Sequence, residues 1–291
     1  MGPGAKAVLR KNGKTTDVFD IRFWGVRGTV PCTSASTMRY GGNTACVEMR
    51  CGDERLIFDA GTGLRQLGRE MMSNGCPIRS HLFFTHTHMD HVIGLPFFKP
   101  AYDHRNKFEF WCGHLSAQGR KLGEVLEQLM QPPFFPVPLD IMHACIGFHD
   151  FVPGETINVG ERVRVRTASL NHPGGSTAYR VDFAGRSACY VTDTEHVPGT
   201  PDGAILDLIS GADLVIYDAT YTDDEFVKFR GWGHSTWQEG MRLCEAAGAR
   251  RLVAFHHDPE HDDDVLDRIA ADMNCRRAGS LVAREGLVIE L

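Results

Sequence analysis

No apolar run in the chain approaches the roughly 20 residues that a membrane-spanning helix needs. Met1 to Asp17 is polar, broken by Gly2, Pro3, Gly4 and Gly13, and has no apolar core of the secretory kind. Lys6 stands where a myristoylation signal wants Ser or Thr. The nine cysteines (32, 46, 51, 76, 112, 145, 189, 244 and 275) contain no Cys-x-x-Cys pair and no framework spacing. Their odd number predicts reduced, mostly buried thiols and a cytoplasmic protein. Positive charge is also in deficit: the formal net charge of −6 provides no global attraction to nucleic acid or to an anionic membrane. The glycine cluster Asp59-Ala60-Gly61-Thr62-Gly63 lacks the Gly-Lys-Ser/Thr of a phosphate loop, so it reads as a tight strand-to-helix turn that borders whatever site lies nearby.

What is present is enough apolar residue, 42% of 291, for a substantial core. Alternation predicts strands over 18–24, 44–50, 55–58, 78–85, 108–112, 163–168, 178–183 and 187–192, with apolar strands over 213–217 and 251–255. Helical patterns fall over 64–72, 116–130, 205–209, 237–247 and 262–272, and residues 281–291 read as a terminal hairpin. No linker or repeat divides the chain. The expectation is a loose segment over 1–17 and one α/β domain over 18–291, two sheets sandwiched by helices, with a lid-like insertion around 113–150. Within that insertion, Gln131-Pro132-Pro133-Phe134-Phe135-Pro136-Val137-Pro138 cannot be helix or central strand for want of amide donors. It is either an active-site lid or a connector that tucks its phenylalanines into the core, and the same rings would serve a homodimer contact.

The densest chemistry sits in Thr85-His86-Thr87-His88-Met89-Asp90-His91, directly after the apolar Leu82-Phe83-Phe84. Imidazole nitrogen and carboxylate oxygen are donors that Zn²⁺ prefers and that manganese and iron also accept. Alternate residues of an extended segment point the same way, so His86 and His88 converge on one ion while Asp90 and His91, where the chain turns, reach a second.

More donors stand where other apolar strands stop: His172, Asp193, Asp218, His234, and the pair His256-His257. Singly, each is a turn residue or a cap; together, at the carboxyl ends of strands, they predict a shared cleft. Two divalent ions account for the set: His86, His88 and His172 on one, Asp90, His91 and either His256 or His257 on the other, with Asp193 bridging. Ions about 3.5–4 Å apart stabilise both the attacking and the leaving oxygen of an in-line displacement, which suits phosphate-ester hydrolysis. Arg27, in an early glycine loop, is either a phosphate contact or a solvated loop residue. His143, His149 and His196 read as ordinary surface.

The His-x-His-x-Asp-His motif after an apolar strand, followed by the later His, Asp and His, resembles the metallo-β-lactamase superfamily over roughly residues 21–259. The resemblance implies an αββα sandwich with a dinuclear site at one edge of two mixed sheets. It assigns His86, His88 and His172 to one metal, Asp90, His91 and His256 to the other, and the bridge to Asp193. The end of the chain is similar to tRNase Z and related phosphodiesterases, where a His-Glu-Ala-Thr loop and a His-Ser-Thr loop help protonate the leaving group. Here Tyr217-Asp218-Ala219-Thr220 stands at the first and His234-Ser235-Thr236 at the second. Asp90, which binds metal and orients the nucleophile, His234 and its partner Asp218 are therefore the expected catalytic residues. The insertion between Gly94 and Phe151 lacks the long glycine- and proline-rich arm of bacterial tRNase Z and has few clustered basic residues. That favours a small phosphodiester such as a cyclic nucleotide over nucleic acid. The alternatives are a tRNase Z-like ribonuclease, a lactone or thioester hydrolase on the same metals, and a binding module without turnover.

Overall fold

A computed structural model describes residues 17–291; the rest of the loose segment expected over 1–17 lies outside the described residues. Among the described residues, fourteen strands form two sheets of seven. The first comprises β1 (Phe19–Gly25), β2 (Cys46–Cys51), β3 (Glu54–Phe58), β4 (Arg79–Phe84), β5 (Lys107–Cys112) and β6 (Cys145–Asp150), with β14 (Val288–Glu290) added beside β1. The second comprises β7 (Thr156–Val159), β8 (Val163–Leu170), β9 (Ser176–Phe183), β10 (Arg186–Val191), β11 (Leu214–Asp218), β12 (Leu252–Phe255) and β13 (Leu281–Val282). Strands β3 to β6 are parallel, as are β10 to β13, and the remaining pairs are antiparallel.

Period-two patterning explains the stacking of the sheets. In β1, Phe19, Ile21 and Phe23 enter the core between the sheets while Asp20 and Arg22 face out. There Phe58 meets Phe83, Tyr179 and Tyr190 at centroid distances of 5.4, 5.4 and 5.6 Å. The opposite faces are also apolar and need covers. Helices α1 (Leu64–Met71), α2 (Met89–Val92) and α3 (Leu122–Leu129) lie with the first sheet; α4 (Gly203–Ile209), α5 (Asp223–Phe226), α6 (Trp237–Ala246) and α7 (Asp263–Arg276) lie with the second. The result is the expected αββα sandwich.

Two local expectations are corrected, and one strand is added. The segment 281–291 is no hairpin: β13 pairs with β12 while β14 pairs with β1, so one short stretch closes an edge of each sheet. The helix expected over 116–130 is interrupted, because a short 3-10 turn over His114–Gln118 ends at Gly119 in left-handed backbone and α3 starts only at Leu122. Cys145 to Asp150, inside the insertion, is an edge strand, half exposed and therefore without clean alternation. In the proline-rich segment, Phe135 packs edge-on against Phe97 at 5.9 Å, whereas Phe134 is 81% exposed. All nine cysteines are free and five of them are buried. No helix of the described residues is long and apolar enough to cross a membrane.

Candidate metal centre

Parallel strands aim their carboxyl ends at one edge of each sheet, and the polar residues gather there. Asp59 follows β3, Thr85 to His91 follow β4, His172 follows β8, Asp193 follows β10, Asp218 ends β11 and His256 follows β12. Asp59, Asp193 and His256 all have left-handed backbone, with φ of 61°, 58° and 62°. Such a conformation costs a non-glycine residue roughly 1–2 kcal/mol, so the surrounding structure holds these turns in place.

One ring nitrogen from each of His86, His88 and His172 falls within a single 4.8 Å group, as do donor atoms of Asp90, His91, Asp193 and His256. Hydrogen bonds to the outer nitrogens set the tautomers. His91 donates from Nδ1 to Asp59 Oδ2 at 2.9 Å, and His172 donates from Nδ1 to the Gly233 carbonyl at 2.8 Å. His256 Nδ1 lies 3.1 Å from Thr220 Oγ1, whose hydroxyl donates to Asp218 at 2.8 Å. His86 Nδ1 lies 3.0 Å from Thr85 Oγ1, whose hydroxyl in turn donates to Asp59. Each relay leaves an inner nitrogen facing the cleft. His91 Nε2 and His256 Nε2 then stand 3.2 Å apart, and His172 Nε2 and His88 Nδ1 3.0 Å apart. His86 Nε2 is buried with no hydrogen-bond partner. Lone pairs packed this closely repel unless a proton or a cation lies between them, so the donor set fits metal ions.

The charge balance agrees. Burial alone would raise the carboxyls of Asp90 and Asp193, but the imidazoles around them, His91 and His256 above all, outweigh it and hold both well below the ordinary carboxylate range. Burial would likewise depress His91, yet Asp193, Asp90 and Asp59 lift it well above its usual value. Burial together with the neighbouring His91 holds His86 well below. Without metal, protons must stand in for the cations.

Beside this cluster, His234 Nδ1 lies 3.0 Å from Asp218 Oδ2. Burial opposes the charged imidazole, but Asp218 and then Asp193 push His234 up to about 9. Asp218 also accepts the amides of Thr194 and Thr220 and the hydroxyl of Thr220, which occupies its lone pairs. The shorter aspartate thus still reaches the histidine. Tyr217, the other departure from the tRNase Z pattern, is buried with its hydroxyl 3.0 Å from Ser235 Oγ. Thr236 caps α6 by accepting the Glu239 amide, so His-Ser-Thr both starts a helix and presents His234.

The structure therefore brings together His86, His88, Asp90, His91, His172, Asp193, Asp218, His234 and His256. It separates His257, which is directed away to the Ala283 carbonyl at 2.8 Å. Arg27 fits neither expectation: fully buried, it donates to the carbonyls of Gly41, Asp258 and His261, tying its loop to the segment after His256. His196 is not ordinary surface either, since its Nδ1 lies 2.8 Å from Ser235 Oγ. The residue that sequence reasoning missed is Asp59, taken as a turn. Its signal was the same as for Asp193 and Asp218, an aspartate closing an apolar strand.

The profile of the family described as "Beta-lactamase superfamily domain" matches residues 54–257. Ribonuclease Z of Gemmatimonas aurantiaca is 25% identical, over 93% of this chain and 95% of its own. Among solved structures, the metallo-β-lactamase fold protein YhfI of Bacillus subtilis superposes with a TM-score of 0.71 at 18% identity, covering 95% of this chain and 100% of that one. The short form of human tRNase Z superposes with a TM-score of 0.63 at 22% identity, covering 93% and 98%. The matched span runs from β3 through the last histidine of the cluster and takes in well over half of the chain: the chain belongs to the metallo-β-lactamase superfamily, on the side where tRNase Z stands, and is a metal-dependent hydrolase.

Proposed function

We propose that the cleft is a dinuclear phosphodiesterase centre acting on RNA. The observation that carries the phosphodiester reading is the pairing of His234 with Asp218 at 3.0 Å beside the donor cluster. Asp218 occupies Nδ1 and stabilises the protonated ring, so Nε2 is the atom left to give a proton to a departing alkoxide. A thioester hydrolase using the same ligands expels a thiolate, which has less need of a fixed acid.

His86, His88 and His172 would hold one ion; Asp90, His91 and His256 the other, with Asp193 between them. Zinc suits these donors, and manganese or iron is also admitted. Bound there, a divalent pair supplies Lewis acidity toward the phosphoryl oxygens and lowers the pKa of water. The protein's own work is positional. Asp59, Thr85, Thr220 and Gly233 orient the imidazoles, and Asp90, anchored by the Thr29 amide at 2.8 Å, orients the nucleophile.

For the substrate, the ribonuclease Z relative aligned end to end favours RNA over the small phosphodiester expected from the sequence. A small phosphodiester stays the second reading because, of the residues between Gly94 and Phe151, β6 joins the edge of the first sheet and α3 lies with that sheet. The deciding experiment compares metal-loaded wild type and His234→Ala on a precursor tRNA carrying a 3′ trailer, a cyclic mononucleotide and a lactone panel. Cleavage of the RNA that collapses in the variant is expected; a protein that opens lactones and ignores every phosphodiester ends the proposal.

A further inference from the structure

Of the four tryptophans, Trp24 and Trp237 are buried and Trp111 packs partly against the inner core, while Trp232 is 65% exposed. It lies two residues before His234, in Gly231-Trp232-Gly233. Both glycines have left-handed backbone, φ 89° and 87°. The Glu195 carboxylate accepts the Gly231 amide at 2.7 Å and the Gly233 amide at 2.8 Å, closing the loop around the indole. Gly233 gives its carbonyl to His172 Nδ1, and a Cβ there would stand 2.4 Å from that ring nitrogen. The loop that carries Trp232 is therefore braced against the metal cluster. From below, Phe229 meets the indole at 5.7 Å and 76°, and Phe229 itself stacks on Tyr221, whose ring stands 6.1 Å from His234. An aromatic ladder thus runs from the proposed acid to an indole left in water.

A large ring exposed on a braced loop two residues before the proposed acid is a preformed surface for another ring. We infer that Trp232 is the stacking platform for the nucleobase next to the scissile phosphate, a specificity residue that no metal ligand supplies. The ligand class rests on the phosphodiesterase reading, since the sugar-phosphate sits at the ions and the base beyond it. Stacking on an indole accepts any base, so the platform selects nucleotides over other phosphate esters without reading sequence.

The test is calorimetric binding of AMP and of ribose 5-phosphate to the metal-loaded protein, with turnover measured separately. AMP is expected to bind roughly five- to a hundredfold more tightly than ribose 5-phosphate, the range typical of one stacked base. Trp232→Ala should abolish that ratio and Trp232→Phe should retain much of it, ribose 5-phosphate serving as the reference for an intact cleft. A base preference that survives in Trp232→Ala overturns the inference, and so does an equal loss for both ligands. If the preference follows Trp232 yet no phosphodiester is cleaved, the platform stands and the phosphodiesterase reading fails.

Discussion

Nδ1 of His91 lies 2.9 Å from Oδ2 of Asp59, a carboxylate that also accepts the amide and hydroxyl of Thr85 and, at 3.0 Å, the hydroxyl of Tyr190. One buried anion therefore orients His91 directly and His86 through Thr85. Groups of this kind, one bond behind a ligand, typically govern metal affinity by about 10- to 100-fold. Asp59→Asn is expected to weaken metal binding by that order while leaving the ligand residues in place. Titration of apo protein with zinc against a competing chelator reads it; unchanged affinity would remove Asp59 from the centre.

His234→Ala should lower kcat by roughly 10²- to 10⁴-fold on a substrate with an alkoxide leaving group. On bis(p-nitrophenyl) phosphate, whose leaving group needs no proton, the loss should be much smaller. Metal content should stay the same, measured by elemental analysis. Equal losses on both substrates would show that His234 is not the acid.

Removing the metals should expose a pH dependence of stability. His234 is held at about 9 in the folded protein, above its free value of about 6.5. Its contribution, on the order of 3 kcal/mol, is thus present in full below about pH 6.5 and lost as pH rises through about 9. His91, raised in the same sense, adds to the trend. Apo protein should therefore melt at a lower temperature at pH 9 than at pH 7, and Asp218→Asn should flatten the difference. Metal loading at pH 7 should release protons, detectable as a buffer-dependent enthalpy in calorimetry.

Each of the two proposed ion sites is abutted by a glycine. A Cβ on Gly28 would stand 2.4 Å from the ring of His256, and one on Gly233 2.4 Å from His172. Gly28→Ala should empty the Asp90–His91–His256 side and Gly233→Ala the His86–His88–His172 side, each leaving about one metal per chain where two are proposed for wild type. Gly233→Ala should also cost about 1 kcal/mol or more, because its φ is positive. Melting temperature and metal stoichiometry check both.

Much of the centre was legible because most donors follow an apolar strand, and strand ends are visible as a change in residue type; His234, expected at a strand end, instead stands in the loop between α5 and α6. Asp59 escaped because the same local pattern also makes a tight turn, and only its distance to His91 separates the readings. Arg27 escaped because burial of an arginine depends on carbonyls of residues 41, 258 and 261, which no local window contains. The segment 281–291 was misread for a related reason: two short apolar stretches near each other look like a hairpin, while the edges they close belong to different sheets.

The sequence by itself determined the alternation of strands and helices, the donor chemistry after Phe84, and six of the seven residues proposed as ligands, since period and side-chain type are local properties. Tertiary structure decided between His256 and His257, turning the second to the Ala283 carbonyl. It also brought Asp218 within 3.0 Å of His234, made Asp59 the anchor of His91, and placed Trp232 on its braced loop. These choices depend on which imidazole nitrogen, carboxylate oxygen or ring face meets a partner far along the chain, and such distances exist only once the two sheets have packed.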